Sequence, residues 1–285
     1  MEIRNIGKIG GGQDGAIYNG IVFRFDHLGN GAAFDPSAVK AGEKTEPFAT
    51  FRLDKCDILA PHSNAVFFGK HFYEKGDEFP LLYSNIYNNY SDAPDPLHGV
   101  CLVYRLLRDG ESFKTKLVQM IGIGFCENAS LWRATEEAHG VRPYGNFVID
   151  MKTNAYYAYV MRNETLGTRY FKFNIPAPTA GEIDPTYGVP RVTLGEGDIL
   201  DFFDCPHHFY IQGGIAHDGK IYSTEGFTSE ENRPAIRIID LEKRAQTAYI
   251  DLWGMGYRNE PEMIDFLDGV CYYSDAHGNL FAADI

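Results

Sequence analysis

The sequence predicts an all-β fold, and three observations carry that expectation. First, a short segment recurs five times: a polar side chain, a few small or apolar residues, a tight turn, then a β-rich aromatic run. The copies are Gln13–Phe23, Asn64–Tyr73, Asn146–Tyr157, Gln212–Tyr222 and Glu262–Tyr273. Second, aromatic residues make up 14% of the chain, with Tyr and Phe far outnumbering Trp, a bias toward strands. Third, the 30 glycines and 14 prolines are spread along the chain, as many short strands joined by many turns require. Repetition of one hairpin unit every few tens of residues signals an array, and a hairpin array that closes on itself is a β-propeller. The expectation is one domain over residues 1–285, five-bladed, with four-stranded blades.

The 285 residues shared among five units leave 57 each, room for four strands of about six residues with their turns. In the first unit strands are expected near Asp14–Tyr18, Ile21–Asp26, Gly31–Asp35 and Pro47–Leu53. Asn19-Gly20 makes the first turn, since Asn-Gly favours the tight hairpin conformations. The second unit carries a connecting turn at Gly76–Pro80. Longer repeat intervals imply insertions at Asn85–Leu97, at Cys126–Val141, where a short helix is expected, and at Pro176–Pro190. The fourth unit reads Gly213–His217, Lys220–Gly226, Ala235–Leu241 and Ala245–Leu252, with turns at Asp218-Gly219 and Glu242-Lys243. The fifth offers Glu262–Leu267, Gly269–Ser274 and Asn279–Asp284, one strand short of a blade. An open ring would leave unpaired strand edges. Glu2–Ile9 has no partner in its own unit, so it is expected to pair beside Asn279–Asp284 and close the last blade.

Charge and cysteine content narrow the function. A net charge of −13 argues against non-specific nucleic-acid binding and against docking on anionic membranes. The chain has no apolar run long enough to span a membrane. Its N-terminus alternates and lacks the apolar core of a secretion signal. Five cysteines with no CxxC spacing suit a reducing, cytoplasmic compartment, and Cys101 and Cys271 are expected to pack as small hydrophobes.

In a propeller the first strand of each blade lines the central channel. Its starting residues therefore converge: Gln13, Asn64, Asn146, Gln212 and Glu262. Flanking polar residues thicken that ring: Asp14, Pro61-His62-Ser63, Arg142–Tyr144, Pro206-His207-His208 and Arg258-Asn259-Glu260. Buried polar groups cost free energy unless paired, so a convergent cluster suggests a ligand pocket at the channel mouth. Amides hydrogen-bond but do not transfer protons at neutral pH, which favours binding over catalysis. A glycan hydrolase or lyase would need two carboxylates, for which Glu262 with Glu260 or Asp14 are the candidates. Asp14 follows Gln13 directly and should point to the other face if the strand has already begun. Adjacent His207-His208 should also alternate, so no metal or cofactor is expected; a protein-interaction scaffold using the outer rims is the third reading. Gly10-Gly-Gly12 lacks the Lys-Ser/Thr of a phosphate loop, and Ser63 beside His62 lacks a nucleophile elbow.

Several of these segments also carry a family resemblance: Gln13 through Phe23-Arg-Phe25, His62-Ser-Asn64 with Tyr73–Tyr83, Gln212-Gly-Gly214, and Asn259-Glu-Pro-Glu262. The chain resembles a group of uncharacterised bacterial five-bladed propellers, similar in turn to the phage receptor-binding and teichoic-acid-biosynthesis propeller family. The resemblance implies five blades, a bacterial source and a link to glycans or cell-surface polymers. Together these readings give a small polyhydroxylated or carbohydrate-like ligand anchored by Gln13, His62, Asn64, Gln212 and Glu262, with Asn146, His207 and Glu260 at the margin.

Overall fold

The computed structural model describes residues 1–59, 61–86, 97, 99–123, 146–208 and 210–285. Strand β1 (Ile3–Lys8) precedes the first blade, which consists of β2 (Gly15–Tyr18), β3 (Ile21–Phe25), β4 (Asn30–Phe34) and β5 (Ala49–Arg52). A single-turn helix, Cys56–Leu59, leads to blade 2, made of β6 (Val66–Phe68), β7 (Leu82–Ile86), β8 (Val100–Asp109) and β9 (Ser112–Ile123). Blade 3 takes β10 (Asn146–Asp150), β11 (Ala155–Asn163) and β12 (Gly167–Asn174). The chain then leaves it to form β13 (Glu182–Ile183) and β14 (Pro190–Leu194), and returns with β15 (Asp201–Cys205). Blade 4 is β16 (Ile211–His217), β17 (Lys220–Glu225), β18 (Ala235–Asp240) and β19 (Ala245–Asp251). Blade 5 is β20 (Pro261–Leu267), β21 (Val270–Asp275) and β22 (Asn279–Ala283).

The hairpins form where local chemistry dictates. Asn19 and Gly20 take φ of 49° and 71°, and Asp218 and Gly219 take 46° and 75°. Paired positive φ values define the turn whose twist matches two antiparallel strands. The inner strands β2, β6, β10, β16 and β20 touch in that order, and β20 touches β2 again. Five blades therefore close into a ring, as the repeats imply.

Closure is completed by β1, which pairs antiparallel with β22 from Ile3 opposite Ala283 to Lys8 opposite Asn279. The last blade thus reads β1-β22-β21-β20, the arrangement expected from the missing strand. Ile3 and Ile9 are buried by it, and the Tyr257 hydroxyl donates to the Ile3 carbonyl at 2.7 Å.

The Pro176–Pro190 stretch, read from sequence as a plain insertion, instead ends in a strand that serves another blade. β14 adds to β9 in parallel, Arg191 opposite Met120 through Leu194 opposite Ile123, and β13 pairs with β14. The blade 2 sheet grows to six strands. The reason lies in β9, whose run from Leu117 to Ile123 is buried and whose outer edge would otherwise be open. Gln119 Nε2 secures the excursion by donating to the carbonyls of Ala177 (2.7 Å) and Ala180 (3.0 Å). The expected insertion at Asn85–Leu97 lies largely, and the helix at Cys126–Val141 and the Arg142–Tyr144 segment wholly, outside the described residues.

Blades pack through aromatic faces. Phe23 meets Phe113 at 5.1 Å, Phe68 at 5.5 Å and Phe79 at 5.7 Å between ring centres, joining blades 1 and 2, and Phe51 of its own blade at 6.3 Å. Edge-to-face pairs of this kind add to the area they bury. Cys101 and Cys271 are buried thiols within the core, as expected. Among the described residues no helix is long and apolar enough to cross a membrane.

Removing residues 1–9 exposes the edge of β22 and returns Ile3 and Ile9 to water. Burial of two such side chains is worth about 3–6 kcal/mol. Urea unfolding of the truncated chain should show a loss of at least about 3 kcal/mol, against under about 0.5 kcal/mol for trimming an exposed tail.

Candidate functional site

The five starters take equivalent places. Gln13 and Asn64 stand two residues before β2 and β6, Asn146 opens β10, and Gln212 and Glu262 are the second residues of β16 and β20. Their surroundings then divide them into two groups.

One group is consumed in joining blades. Asn85, on β7, donates through Nδ2 to Asn64 Oδ1 (2.6 Å) and Asn146 Oδ1 (2.9 Å), tying blade 2 to blade 3. Its Oδ1 accepts from the Ala65 amide at 3.0 Å. Asn146 is accordingly buried and does not line the cavity at the channel mouth. Asp14 accepts from the Val66 amide at 2.8 Å, joining blade 1 to blade 2. β2 begins only at Gly15, so strand alternation does not govern Asp14. Its carboxyl lies in the channel, where an added Cβ on Gly213 would sit 3.2 Å from it. Asp265 accepts from the Ile17 amide at 2.6 Å, joining blade 5 to blade 1, and Thr224 donates to the Glu262 carbonyl at 2.9 Å, joining blade 4 to blade 5.

Beneath these junctions lies a buried charge cluster. Arg24, flanked by Phe23 and Phe25 on β3, reaches from blade 1 to blade 5. It donates to Ser274 Oγ, to the Gly12 carbonyl (2.8 Å) and to the Asp275 carbonyl (3.3 Å). Glu262 is only 2% exposed, and its Oε2 has no hydrogen-bond partner among the described residues. Burial, together with the neighbouring Glu260 charge, pushes its pKa up to about 8, with Arg24 opposing. Burial pushes Asp265 up to about 7 and raises Asp14 well above the usual carboxylate range. Burial favours the protonated form of each, because water cannot reach the charged form.

The second group faces solvent. A cavity of about 290 Å3 at the channel mouth is lined by Gln13, His62, Asn64, Gln212 and Glu260, with Met161, Tyr210, Ile211 and Phe227. Gln212 Nε2 donates to Glu260 Oε1 and to the Gly226 carbonyl (3.3 Å), fixing both side chains. Tyr210 and Phe227 pack with ring centres 4.1 Å apart, and Tyr210 is 46% exposed. Burial, with a smaller contribution from His27, holds His62 neutral by lowering its pKa to about 4. Glu262 and His207 do not line this cavity. His208, the buried member of its pair, packs against Tyr170 instead. A larger cleft of about 390 Å3 over blade 1 is walled mainly by strand residues, with Arg24 its link to the channel cluster.

Backbone strain converges on the same cavity. Among non-glycine residues with positive φ, Asn19, Asn154, Asp218, Arg244 and Asp268 serve hairpin turns and Lys55 precedes the short helix. The remaining two are Ser63 (φ 55°), between His62 and Asn64, and Tyr210 (φ 50°). A bulky aromatic in that region is strained, and such strain clusters at sites that position a ligand.

Several of these residues escaped the sequence reading. Arg24, Asn85 and Asp265 carry a signal, a charge or amide inside an apolar strand. Tyr210, Phe227 and Met161 carry none, because their types are common throughout the core.

Known structures add a fold-level comparison. The crystal structure of Myxococcus xanthus glutaminyl cyclase matches with a TM-score of 0.52 at 10% identity, over 99% of this chain and 93% of the other. A glucose dehydrogenase structure matches at 0.55 and 10% identity, over 100% of both chains. No family model and no curated protein matches the sequence. At such identity the likeness speaks for the fold alone. The chain is a five-bladed β-propeller with a polar, aromatic-walled cavity at its channel mouth.

The raised carboxyls give a pH signature. Glu262 and Asp265 keep protons in the folded state that the unfolded chain releases, so their contribution to stability is full at low pH. It is lost as pH climbs from about 4 to their folded values near 8 and 7. His62, ordinarily near 6.5, acts oppositely but only below that value. Unfolding free energy should therefore fall between about pH 6.5 and 8, and Glu262→Gln should flatten the fall when stability is measured across that range.

Proposed function

We propose that the cavity at the channel mouth binds a small polyhydroxylated, carbohydrate-like ligand. The observation that carries this reading is the pairing, in one cavity of about 290 Å3, of an exposed Tyr210–Phe227 wall with Gln13, Asn64, Gln212 and Glu260. A sugar ring presents C–H faces that suit an aromatic surface and edge hydroxyls that both donate and accept. Amides match that dual demand, and the fixed Gln212–Glu260 pair reduces the ordering cost of binding. The resemblance of the Gln212-Gly-Gly214 and His62-Ser-Asn64 segments to propellers linked to cell-surface polymers supports the same class.

A second reading, glycan hydrolysis or elimination, is favoured by one observation. Burial and the neighbouring Glu260 charge push Glu262 up to about 8, so it holds a proton near neutral pH, and a protonated carboxyl with a second acid nearby is what acid–base chemistry on a glycosidic bond requires. Glu262 stands outside the cavity lining, so this reading requires the channel mouth to open toward it.

Thermal-shift screening of a sugar panel should find at least one glycan that raises the unfolding temperature, because a ligand bound only by the folded state stabilises it. Tyr210→Ala and Gln212→Ala should each weaken that ligand about tenfold by calorimetry. Glu262→Gln separates the readings. For a binder it leaves affinity within about twofold, whereas a hydrolase or lyase loses turnover by about a hundredfold or more.

A further inference from the structure

We propose that the ligand of the channel-mouth cavity is an amino sugar, its protonated amine held by the Glu260 carboxylate against the faces of Tyr210 and Phe227. The inference rests on the sugar-binding reading and adds the charge of the guest.

The charge content of the cavity points this way. Among the described residues Glu260 is the only acidic one in its lining, and no described Lys or Arg stands there. His62 supplies no positive charge near neutral pH, since burial keeps its imidazole neutral. The buried Arg24 donates to Ser274, Gly12 and Asp275 and does not line the cavity. The Glu262 and Asp14 carboxyls lie behind the cavity floor, and the chain as a whole carries a net charge of −13. An anionic guest meets no counter-charge among the described residues of the lining.

The position of Glu260 is equally specific. Its Oε1 accepts from Gln212 Nε2, which locks the carboxylate in place, while Oε2 takes no hydrogen bond from any described residue. Partial burial raises its pKa, the mark of a carboxylate that has lost solvent without gaining a cation. A neutral hydroxyl can donate one hydrogen bond to that oxygen. An ammonium group donates and also neutralises the charge, recovering more of the desolvation cost. The remaining walls favour the same guest: aromatic faces attract cations through their quadrupole, and Tyr210 and Phe227 offer two such faces beside the carboxylate. Gln13 and Asn64 remain for the ring hydroxyls.

Calorimetry near neutral pH with a glucosamine tetramer, an N-acetylglucosamine tetramer and a glucose tetramer tests the inference on the unaltered protein. The free-amine oligomer should bind at least about tenfold more tightly than either neutral one. In Glu260→Gln that preference should disappear, with the neutral oligomers retained. Equal binding of charged and neutral oligomers, or preference for a neutral one, overturns the inference and leaves the sugar-binding reading standing. Failure of all three to bind overturns the sugar reading itself, and the inference with it.

Discussion

Circular closure is the constraint on which this structure depends. Strand β1 is hydrogen-bonded to β22, and it completes the fifth blade as its outer strand. Closure also acts from inside the ring. The side chains of Asp14, Asn85, Thr224, Asp265 and Arg24 each cross from one blade to the next. Their partners are mostly backbone groups of inner strands that face another blade's edge and have no ladder to join. The channel is polar because adjacent sheets splay there, and side chains supply the hydrogen bonds that strand pairing cannot.

That requirement explains why polar residues in the channel differ in role although their sequence positions are equivalent. Asn146 is buried and accepts from Asn85 through its Oδ1, and Asp14 is bound to the next blade. Gln212 and Glu260 instead bind one another at the rim, where one carboxylate oxygen stays open to a guest. Beside them lies a cluster of carboxyls whose counter-charge among the described residues is Arg24. Protonation relieves most of the repulsion there, because a fully ionised cluster in so dry a place would be prohibitively costly. The closing device of the ring and a reservoir of protons behind the cavity are thus built from the same side chains.

Much of this was legible in the sequence for physical reasons. Asn19-Gly20 and Asp218-Gly219 announce hairpins because few other residue pairs tolerate two consecutive positive φ values. The unpaired Glu2–Ile9 segment and the three-strand fifth unit announced closure because neither is stable alone. Of the expected anchors, Gln13, His62, Asn64 and Gln212 line one cavity, while Glu262 does not and the marginal Glu260 does. What stayed hidden is non-local. Nothing in Arg191–Leu194 reveals that it pairs in parallel with β9, since a short extended run has many potential edges to join. Tyr210 and Phe227 could not be singled out in a chain with 18 Tyr and 20 Phe, because only packing separates a surface wall from a core filler. The side of the channel that Asp14 faces turned on where β2 begins, and the strand starts only at Gly15.

Native-state hydrogen exchange on β1 and β22 tests the closure most directly. If the ring is held by that pairing, the ladder amides of both strands will exchange only through global unfolding. They will then show the same protection and denaturant dependence as the central strand β8. Fast exchange of β1 through local fraying, with β8 protected and the fold intact, would contradict the account.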